Sequence, residues 1–224
     1  MSDYSRELAE MIGPKMDPAS GGKARQLIVF LHGVGADGEE LIGLAPMFAE
    51  RLPDAAFVSP HAPFAFDMAP FGRQWFTLQN LSNNVALMGV KKAAPILDAY
   101  LDRELEARGL RGGELALVGF SQGTMMALHV GLRRKPPPAA ILGFSGRLIA
   151  PELLARELAA RPPVLLVHGD VDPVVPFLSL RLAEESLKQA EVPVETLPRP
   201  GLGHGIDHPG LVAGIEFVAK AFGK

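Results

Sequence analysis

The sequence contains no cysteine among its 224 residues. This absence excludes disulfide bonds, thiolate metal sites and a cysteine nucleophile, and it is compatible with any cellular compartment. No apolar run reaches 18 residues, so we expect no membrane-spanning helix. The sequence also lacks a concentration of positive charge, because the net charge is −3 and the densest basic cluster is the short stretch 133–135. Since binding to a phosphate backbone needs a concentrated cationic surface, we do not expect nucleic acid as a partner.

The remaining composition is that of a globular domain. Hydrophobic residues make up 48% of the chain and charged residues 21%, which are ordinary values. A chain of this length is expected to form one domain, which we place at residues 26–224 after an irregular lead-in over residues 1–25. The start of the chain carries Asp3, Glu7 and Glu10 and lacks a long apolar core. It does not resemble a secretory signal, so we expect a cytoplasmic location.

From residue 26 onward, short apolar runs alternate with longer segments of helical period. The predicted strands are residues 27–31, 55–59, 115–119, 140–144, 164–168 and 192–197. The predicted helices are residues 39–51, 84–108, 122–134, 151–160, 176–190 and 209–222, and Pro95 is expected to kink or interrupt the second. Most of the strands are continuously apolar, which is typical of a sheet covered on both faces. The alternation predicts an α/β fold with a mostly parallel, doubly wound sheet.

One connection is unusually long, spanning residues 60–82. It contains four phenylalanines and Trp75, the only tryptophan of the chain. A long, aromatic-rich loop in a compact domain is usually functional or part of a lid. A loop that is merely held in place by its own aromatic side chains would have the same composition.

The stretch FLHGVGADGEE, residues 30–40, matches the G-x-G-x-x-G pattern of dinucleotide-binding loops, and it follows a predicted strand. A dinucleotide site also needs an acidic residue at the end of the next strand, to bind the ribose. That strand is followed by Ser59, Pro60 and His61, and Asp54 lies at its wrong end. The sequence therefore does not support a dinucleotide cofactor such as NAD, and we expect no cofactor.

A second glycine pattern, Gly-Phe-Ser-Gln-Gly at residues 119–123, fits G-x-S-x-G. It lies between a predicted strand and a predicted helix, the context of a sharp turn that exposes a nucleophilic serine. Ser121 is therefore the candidate nucleophile. Ser145 also ends a strand, but Arg147 stands two residues after it where the pattern requires glycine, so we expect Ser145 to be structural.

A serine hydroxyl needs a base and an acid to activate it, and in this context the chain order is serine, acid, histidine. Asp170 and Asp172 both follow the predicted strand 164–168. We favour Asp172, since Pro173 stiffens the backbone after it, and we expect Asp170 to cap the turn. His204, bracketed by glycines near the end of the chain, is the candidate base.

The other histidines are expected to be structural. His61 and His168 adjoin strand ends, His129 lies within an apolar helix, and His208 is expected to begin the last helix. No H-E-x-x-H or similar ligand spacing occurs, so we expect no metal site.

Taken together, four stretches resemble the phospholipase/carboxylesterase family of α/β-hydrolases. They are FLHGVGAD, GFSQG, HGDVDPVVP and GLGH, and the resemblance extends from about residue 26 to residue 222. It implies an α/β-hydrolase fold with helices on both faces of the sheet and without a large cap domain. It also implies a catalytic triad of Ser121, Asp172 and His204, together with an oxyanion hole formed by the backbone N–H groups of Val34 and Gln122.

Two positions depart from the family pattern. Val34 stands where the family often has leucine, which a backbone donor tolerates. Thr77 stands where an aspartate often follows the tryptophan and its aromatic neighbour. An acidic contact expected from the family is therefore missing. An apolar acyl pocket is predicted from Trp75, Phe76, Leu78 and Met88, although a core position explains Met88 equally well.

The resemblance implies a serine carboxylesterase that acts on a small-molecule ester through an acyl-enzyme. The alternative within enzymes is an acyl-protein thioesterase or lysophospholipase acting on long acyl chains. A remote alternative is a non-catalytic binding protein on a hydrolase fold. Since dimers occur among members of this family, a homodimer is also an expectation.

Overall fold

The structure, a computed structural model, describes residues 11–78 and 83–224. In these residues, nine strands make up two sheets: β1 Lys15–Met16, β2 Gln26–Leu31, β3 Ala55–Val58, β4 Phe64–Ala65, β5 Arg73–Gln74, β6 Leu115–Phe120, β7 Ala140–Phe144, β8 Val164–Gly169 and β9 Val194–Arg199. The α-helices are α1 Gly38–Ile42, α2 Ala45–Arg51, α3 Asn83–Glu106, α4 Gln122–Gly131, α5 Leu154–Glu157, α6 Leu178–Gln189 and α7 His208–Ala221. None of these helices is long and apolar enough to cross a membrane.

The main sheet has seven strands in the order β1-β3-β2-β6-β7-β8-β9. Every neighbouring pair is parallel except the edge pair β1 and β3. The predicted α/β class and the six predicted strands are confirmed, with ends that shift by no more than two residues. The lead-in that was expected to be irregular supplies the two-residue strand β1.

Both faces of this sheet are buried, as its apolar strands predicted. Along β2, Leu27, Val29 and Leu31 belong to one hydrophobic cluster, with α3, α4 and α6. Ile28 and Phe30 point the other way, into a second cluster with α1, α2 and α7. Successive side chains of a strand alternate between faces, so a continuous run of apolar residues supplies both cores.

The single helix predicted over residues 39–51 is wrong, because the chain forms α1 and α2 instead. Pro46 lies in the first turn of α2. A proline inside a helix lacks an amide hydrogen and clashes with the carbonyl four residues earlier, here that of Ile42, where α1 ends. Pro95, by contrast, lies inside α3 without interrupting it. Residues 151–160, predicted as a helix, form a short 3-10 turn followed by the four-residue helix α5.

The long connection after β3 contains a small hairpin, β4 and β5, that sequence analysis did not predict. Arg73 in β5 ties this hairpin to the loop after β2, residues 32–37, here called the glycine loop. The backbone N–H of Arg73 donates to the carbonyl of Ala36, and its carbonyl accepts from the N–H of Gly35. The Arg73 side chain also donates to the carbonyls of Ala62 and Pro63. The loop that follows β2 is therefore held on its outer side by the aromatic-rich segment. Residues 79–82 of the connection lie outside the described residues.

Candidate active site

The candidate side chains converge because the strands are parallel. Loops that follow β2, β6, β8 and β9 all leave the sheet at the same edge, where open α/β sheets build their sites. Ser121 follows β6, Asp172 follows β8 and His204 follows β9. Positions that are far apart in the chain therefore meet at one end of the sheet.

Ser121 has the strained backbone of a nucleophile elbow. Its φ of 53° and ψ of −114° lie in a region that non-glycine residues rarely adopt, at a cost of roughly 1–3 kcal/mol. Its N–H donates to the carbonyl of Phe144 in the neighbouring strand. A side chain on Gly123 would place a Cβ atom 1.8 Å from the carbonyl oxygen of Leu31, so α4 can begin this close to β2 only with glycine there. Packing against β2 and β7 thus maintains the strain.

Asp172 and His204 form a direct pair. Nδ1 of His204 lies 2.8 Å from Oδ2 of Asp172, and the Asp172 side chain is fully buried. The other oxygen, Oδ1, accepts the backbone N–H groups of Val174 and Val175. Burial raises the pKa of the Asp172 carboxyl, but the hydrogen bonds from His204, Val175 and Val174 outweigh it and hold the pKa below its ordinary value. The carboxylate is ionised and fixes His204 with the proton on Nδ1, which leaves Nε2 available as a base.

His204 packs beside the residue that precedes the serine, but among the described residues no hydrogen bond joins it to Ser121. The ring of His204 packs against Phe120, the residue before the serine, with 4.9 Å between the ring centroids. Within residues 11–78 and 83–224, the Ser121 hydroxyl has no hydrogen-bond partner. Catalytic hydrogen bonds are often long without substrate and shorten in the complex.

The two predicted oxyanion donors belong to segments that meet at Ser121. A Cβ on Gly33 would lie 3.4 Å from the Cβ of Ser121, so the loop carrying Val34 passes directly over the serine. The amide of Gln122 is the first of helix α4, where backbone N–H groups have no partner within the helix. In the described part of the chain, neither this amide nor that of Val34 donates a hydrogen bond. Two such amides beside one serine are suited to bind a developing negative charge.

The loop after β2 is also fixed from within by His32, which sequence analysis missed. Its Nδ1 lies 2.7 Å from the carbonyl of Gly33 and its Nε2 accepts the N–H of Ala62. Since a carbonyl only accepts, the proton is on Nδ1. Burial lowers the pKa of His32 to about 4, although the hydrogen bond to Gly33 opposes this. In the sequence, this role of His32 was indicated by its position between a buried strand and the glycine loop.

The spacing of Asp37 and Glu40 at the end of this loop predicts a capping box, of which the structure shows one half. Asp37 caps α1, because its carboxylate accepts the N–H of Glu39. Glu40 shows no return contact of its side chain to the cap, so the reciprocal half is absent from the described residues. The cap fixes the point at which the glycine loop ends.

Trp75 and Phe76, predicted for the acyl pocket, are almost fully buried, at 0% and 2% exposure. The indole N–H of Trp75 donates to the carbonyl of His32. The side chain of Gln122 accepts the N–H of Trp75 and donates to the carbonyl of Phe76. Sequence analysis missed this role of Gln122, whose side chain ties the aromatic segment to the elbow. Trp75 is therefore bonded to the loop after β2 and, together with Phe76, to the start of α4 through the side chain of Gln122.

Leu78 is partly buried against the core and Met88 is 74% exposed, so the core alternative for Met88 is wrong. Contact of these two side chains, or of Trp75 and Phe76, with a substrate stays a prediction. Next to this segment, the hydroxyl of Thr77 donates to the carboxylate of Asp67. An acidic group thus lies beside the position at which the family often has aspartate.

The competing candidates take structural places. Oδ1 of Asp170 accepts the backbone N–H of Gly201, so it ties its turn to the loop before His204 and does not contact the histidine. Ser145 is buried, and its hydroxyl donates to the carbonyl of Gly205. His208 begins α7 as expected, after the cap Asp207.

The remaining histidines are mostly structural too. His61 accepts the N–H of Gly38. His129 is buried within its helix, and its Nδ1 has no hydrogen-bond partner among the described residues. In the same residues, no group of three or more His, Asp or Glu side chains could hold a metal ion.

Comparison with known proteins decides the family. A family model described as Phospholipase/Carboxylesterase matches residues 18–222. The chain belongs to this family. Esterase YpfH of Escherichia coli K12 is 30% identical over 202 residues, which cover 90% of this chain and 85% of the relative. Acyl-protein thioesterase 1 of Neurospora crassa is 27% identical over 215 residues, covering 88% of this chain and 87% of the relative.

The solved structures agree with this membership. The crystal structure of esterase PE8 has a TM-score of 0.90 and 40% sequence identity, and it covers 95% of this chain and 99% of the esterase. The α/β-hydrolase fold that the resemblance implied is therefore confirmed. This member of the phospholipase/carboxylesterase family is a hydrolase that acts on ester bonds.

The titration of His32 makes the stability of the fold depend on pH. In the unfolded chain a histidine takes up a proton near pH 6.5, whereas in the folded protein His32 does so only at about pH 4. Between these values the unfolded state binds more protons, so the free energy of unfolding falls as the pH is lowered, by up to about 3 kcal/mol. His129, whose pKa burial also lowers to about 4, adds to the loss over the same range.

Urea unfolding between pH 7 and pH 4.5 measures this dependence. His32→Asn keeps a donor for the carbonyl of Gly33 but cannot titrate, so we expect a flatter pH dependence of the free energy of unfolding. His129→Asn is the matched variant outside the site and should flatten it by a similar amount. If the pH dependence of the free energy of unfolding is unchanged in His32→Asn, burial does not lower the pKa of His32 as described.

Proposed function

We propose that the chain is a serine carboxylesterase in which Ser121, His204 and Asp172 form the catalytic triad. The observation that carries the proposal is the buried Asp172–His204 pair, held at 2.8 Å at the same edge of the sheet as the strained Ser121. A neutral imidazole whose Nδ1 proton is fixed by a carboxylate presents Nε2 as a base, as triads require.

The reaction then proceeds in two steps through an acyl-enzyme. His204 takes the proton of the Ser121 hydroxyl as the oxygen attacks the ester carbonyl, and the imidazolium is stabilised by Asp172. The N–H groups of Val34 and Gln122 bind the oxyanion, a contribution of roughly 3–4 kcal/mol per donor in comparable enzymes. His204 next donates its proton to the leaving alcohol. It then activates a water molecule that releases the acid and restores Ser121.

Long-chain thioesters are the second candidate substrates. Acyl-protein thioesterase 1 of Neurospora crassa and a similarly named protein of Gibberella zeae match most of this chain. The chemistry of the triad is the same for an ester and a thioester, so the difference lies in the pocket. Self-association into a homodimer and a cytoplasmic location stay predictions from the sequence, as does the absence of nucleic acid from its partners.

An active-site-directed fluorophosphonate tests the nucleophile. The reagent mimics the tetrahedral intermediate, so we expect one label per chain, on the peptide that contains Ser121, as read by mass spectrometry. Ser121→Ala should abolish labelling, and Ser145→Ala, which alters the other strand-end serine, should leave it intact. Labelling at another residue would contradict the assignment. No labelling, together with no turnover of any ester, would favour a non-catalytic binding protein.

Replacing Asp172 by Asn tests the acid. The amide cannot stabilise the imidazolium and favours the wrong tautomer of His204, so we expect kcat to fall by about 10⁴-fold. Asp170→Asn is the matched control, because its amide oxygen can still accept the N–H of Gly201, and kcat should remain near that of the wild type. A near-normal rate in Asp172→Asn would contradict the assignment of Asp172 as the acid of the triad.

Comparison of four-carbon and sixteen-carbon acyl substrates, each as the p-nitrophenyl ester and as a thioester, separates the two candidate activities. A carboxylesterase should show its highest kcat/KM on a carboxylic ester. A higher kcat/KM on the long thioester would favour the thioesterase instead. Ser121→Ala is the blank for all four reactions.

A further inference from the structure

His168 is a buried titratable residue that the proposed mechanism does not use. It lies near the end of β8 and four residues before Asp172, and its side chain is 1% exposed. From the sequence alone it is a structural histidine beside a strand end. In the structure its ring is directed at the loop that carries Asp172.

The proton of His168 is placed by a backbone carbonyl. Nε2 lies 2.9 Å from the carbonyl oxygen of Val175, and since a carbonyl only accepts, Nε2 carries the hydrogen. The same nitrogen lies 3.3 Å from Oδ2 of Asp172. The N–H group of His168 therefore donates to this carbonyl, and its nitrogen also contacts the carboxylate oxygen at the longer distance.

That carboxylate oxygen is the one that His204 contacts. Oδ2 of Asp172 lies 2.8 Å from Nδ1 of His204, so two imidazole rings meet at one oxygen. The other oxygen is held by the N–H of Val175, whose carbonyl accepts from His168. Val175 thus binds Asp172 with its donor and His168 with its acceptor. The three residues form a closed set of contacts in which the carboxylate cannot turn without breaking one of them.

Packing fixes the ring of His168 from another side. Phe177 meets it edge to face, with 6.2 Å between the ring centroids and 74° between the planes. A buried ring in such a setting has a single orientation. Its distance to Asp172 is therefore set by the core and not by the substrate.

We propose that His168 is a positioning residue, which holds the Asp172 carboxylate in the orientation that His204 needs. The inference rests on the proposed function, because it assumes that the Asp172–His204 pair activates Ser121. His168 does not touch the substrate. Its effect passes through the carboxylate alone, so its loss should slow the chemical step and leave substrate binding unchanged.

Three substitutions of His168 test this role. His168→Gln can place an amide N–H near the position of Nε2, whereas His168→Asn is a shorter amide whose nitrogen corresponds to Nδ1. His168→Leu removes all polar contacts. We expect kcat to fall by about tenfold to a hundredfold in the Asn and Leu variants. Losing a side chain that hydrogen-bonds to a metal ligand has an effect of this size in metalloenzymes, and His168 has the corresponding place beside Asp172. The Gln variant should recover to within about threefold of the wild type, and KM should change little in all three.

The thermal midpoint of each variant separates positioning from a purely structural role. A structural residue would lower the midpoint and leave the kcat of the folded enzyme unaltered. If His168→Leu does not fold, the two amide variants decide the question. Equal kcat values for Asn, Gln and wild type would overturn the proposal, and so would a loss that appears only in KM.

A different experimental result would reject the proposed function. If the wild type hydrolyses esters, Ser121 is labelled and Asp172→Asn loses turnover, then normal kcat values in the His168 variants would reject the positioning role alone. A near-normal Asp172→Asn would instead reject the triad on which the inference rests.

Discussion

The close approach of helix α4 to strand β2 is the constraint on which the rest of the site depends. Gly123 lies so near the carbonyl of Leu31 that a Cβ there would be 1.8 Å from its oxygen. This contact places the first amide of α4 next to the loop that leaves β2. It also forces the preceding Ser121 into its strained conformation, because the chain must turn from β6 into a helix that already touches the neighbouring strand.

Around this contact, several polar side chains hold the glycine loop and the aromatic segment in place. His32 fastens the glycine loop from within, Arg73 fastens it from the hairpin and the Gln122 side chain fastens the aromatic segment. Asp172 is held in the same manner by two backbone amides and by His204, and it also contacts His168. Buried polar groups are costly when unpaired and rigid when paired. The geometry of the candidate site thus depends on backbone carbonyls and amides as much as on the side chains of Ser121, Asp172 and His204.

The sequence predicted those parts of the site that depend on local pattern. G-x-S-x-G identified Ser121 because two glycines around a serine, between a strand and a helix, have a local cause. Asp172 and His204 followed from chain order and from their positions after strands. The prediction of a single helix over residues 39–51 was wrong because Pro46 cannot continue α1 and lies in the first turn of a new helix. The hairpin after β3 was missed because two-residue strands leave no periodicity to detect.

What the sequence determined by itself was the order of strands and helices, the two-sided burial of the sheet and the choice of Ser121, Asp172 and His204 as the proposed triad. Local pattern and chain order suffice for these features. Tertiary structure decided which polar groups meet across the sheet edge: His168 with Asp172, His32 with Ala62, and Gln122 with Trp75. The last two pairs are separated by 30 residues or more along the chain, and the first depends on the path of one loop. No periodicity or spacing encodes such contacts, because they arise only when the parallel strands bring their ends together.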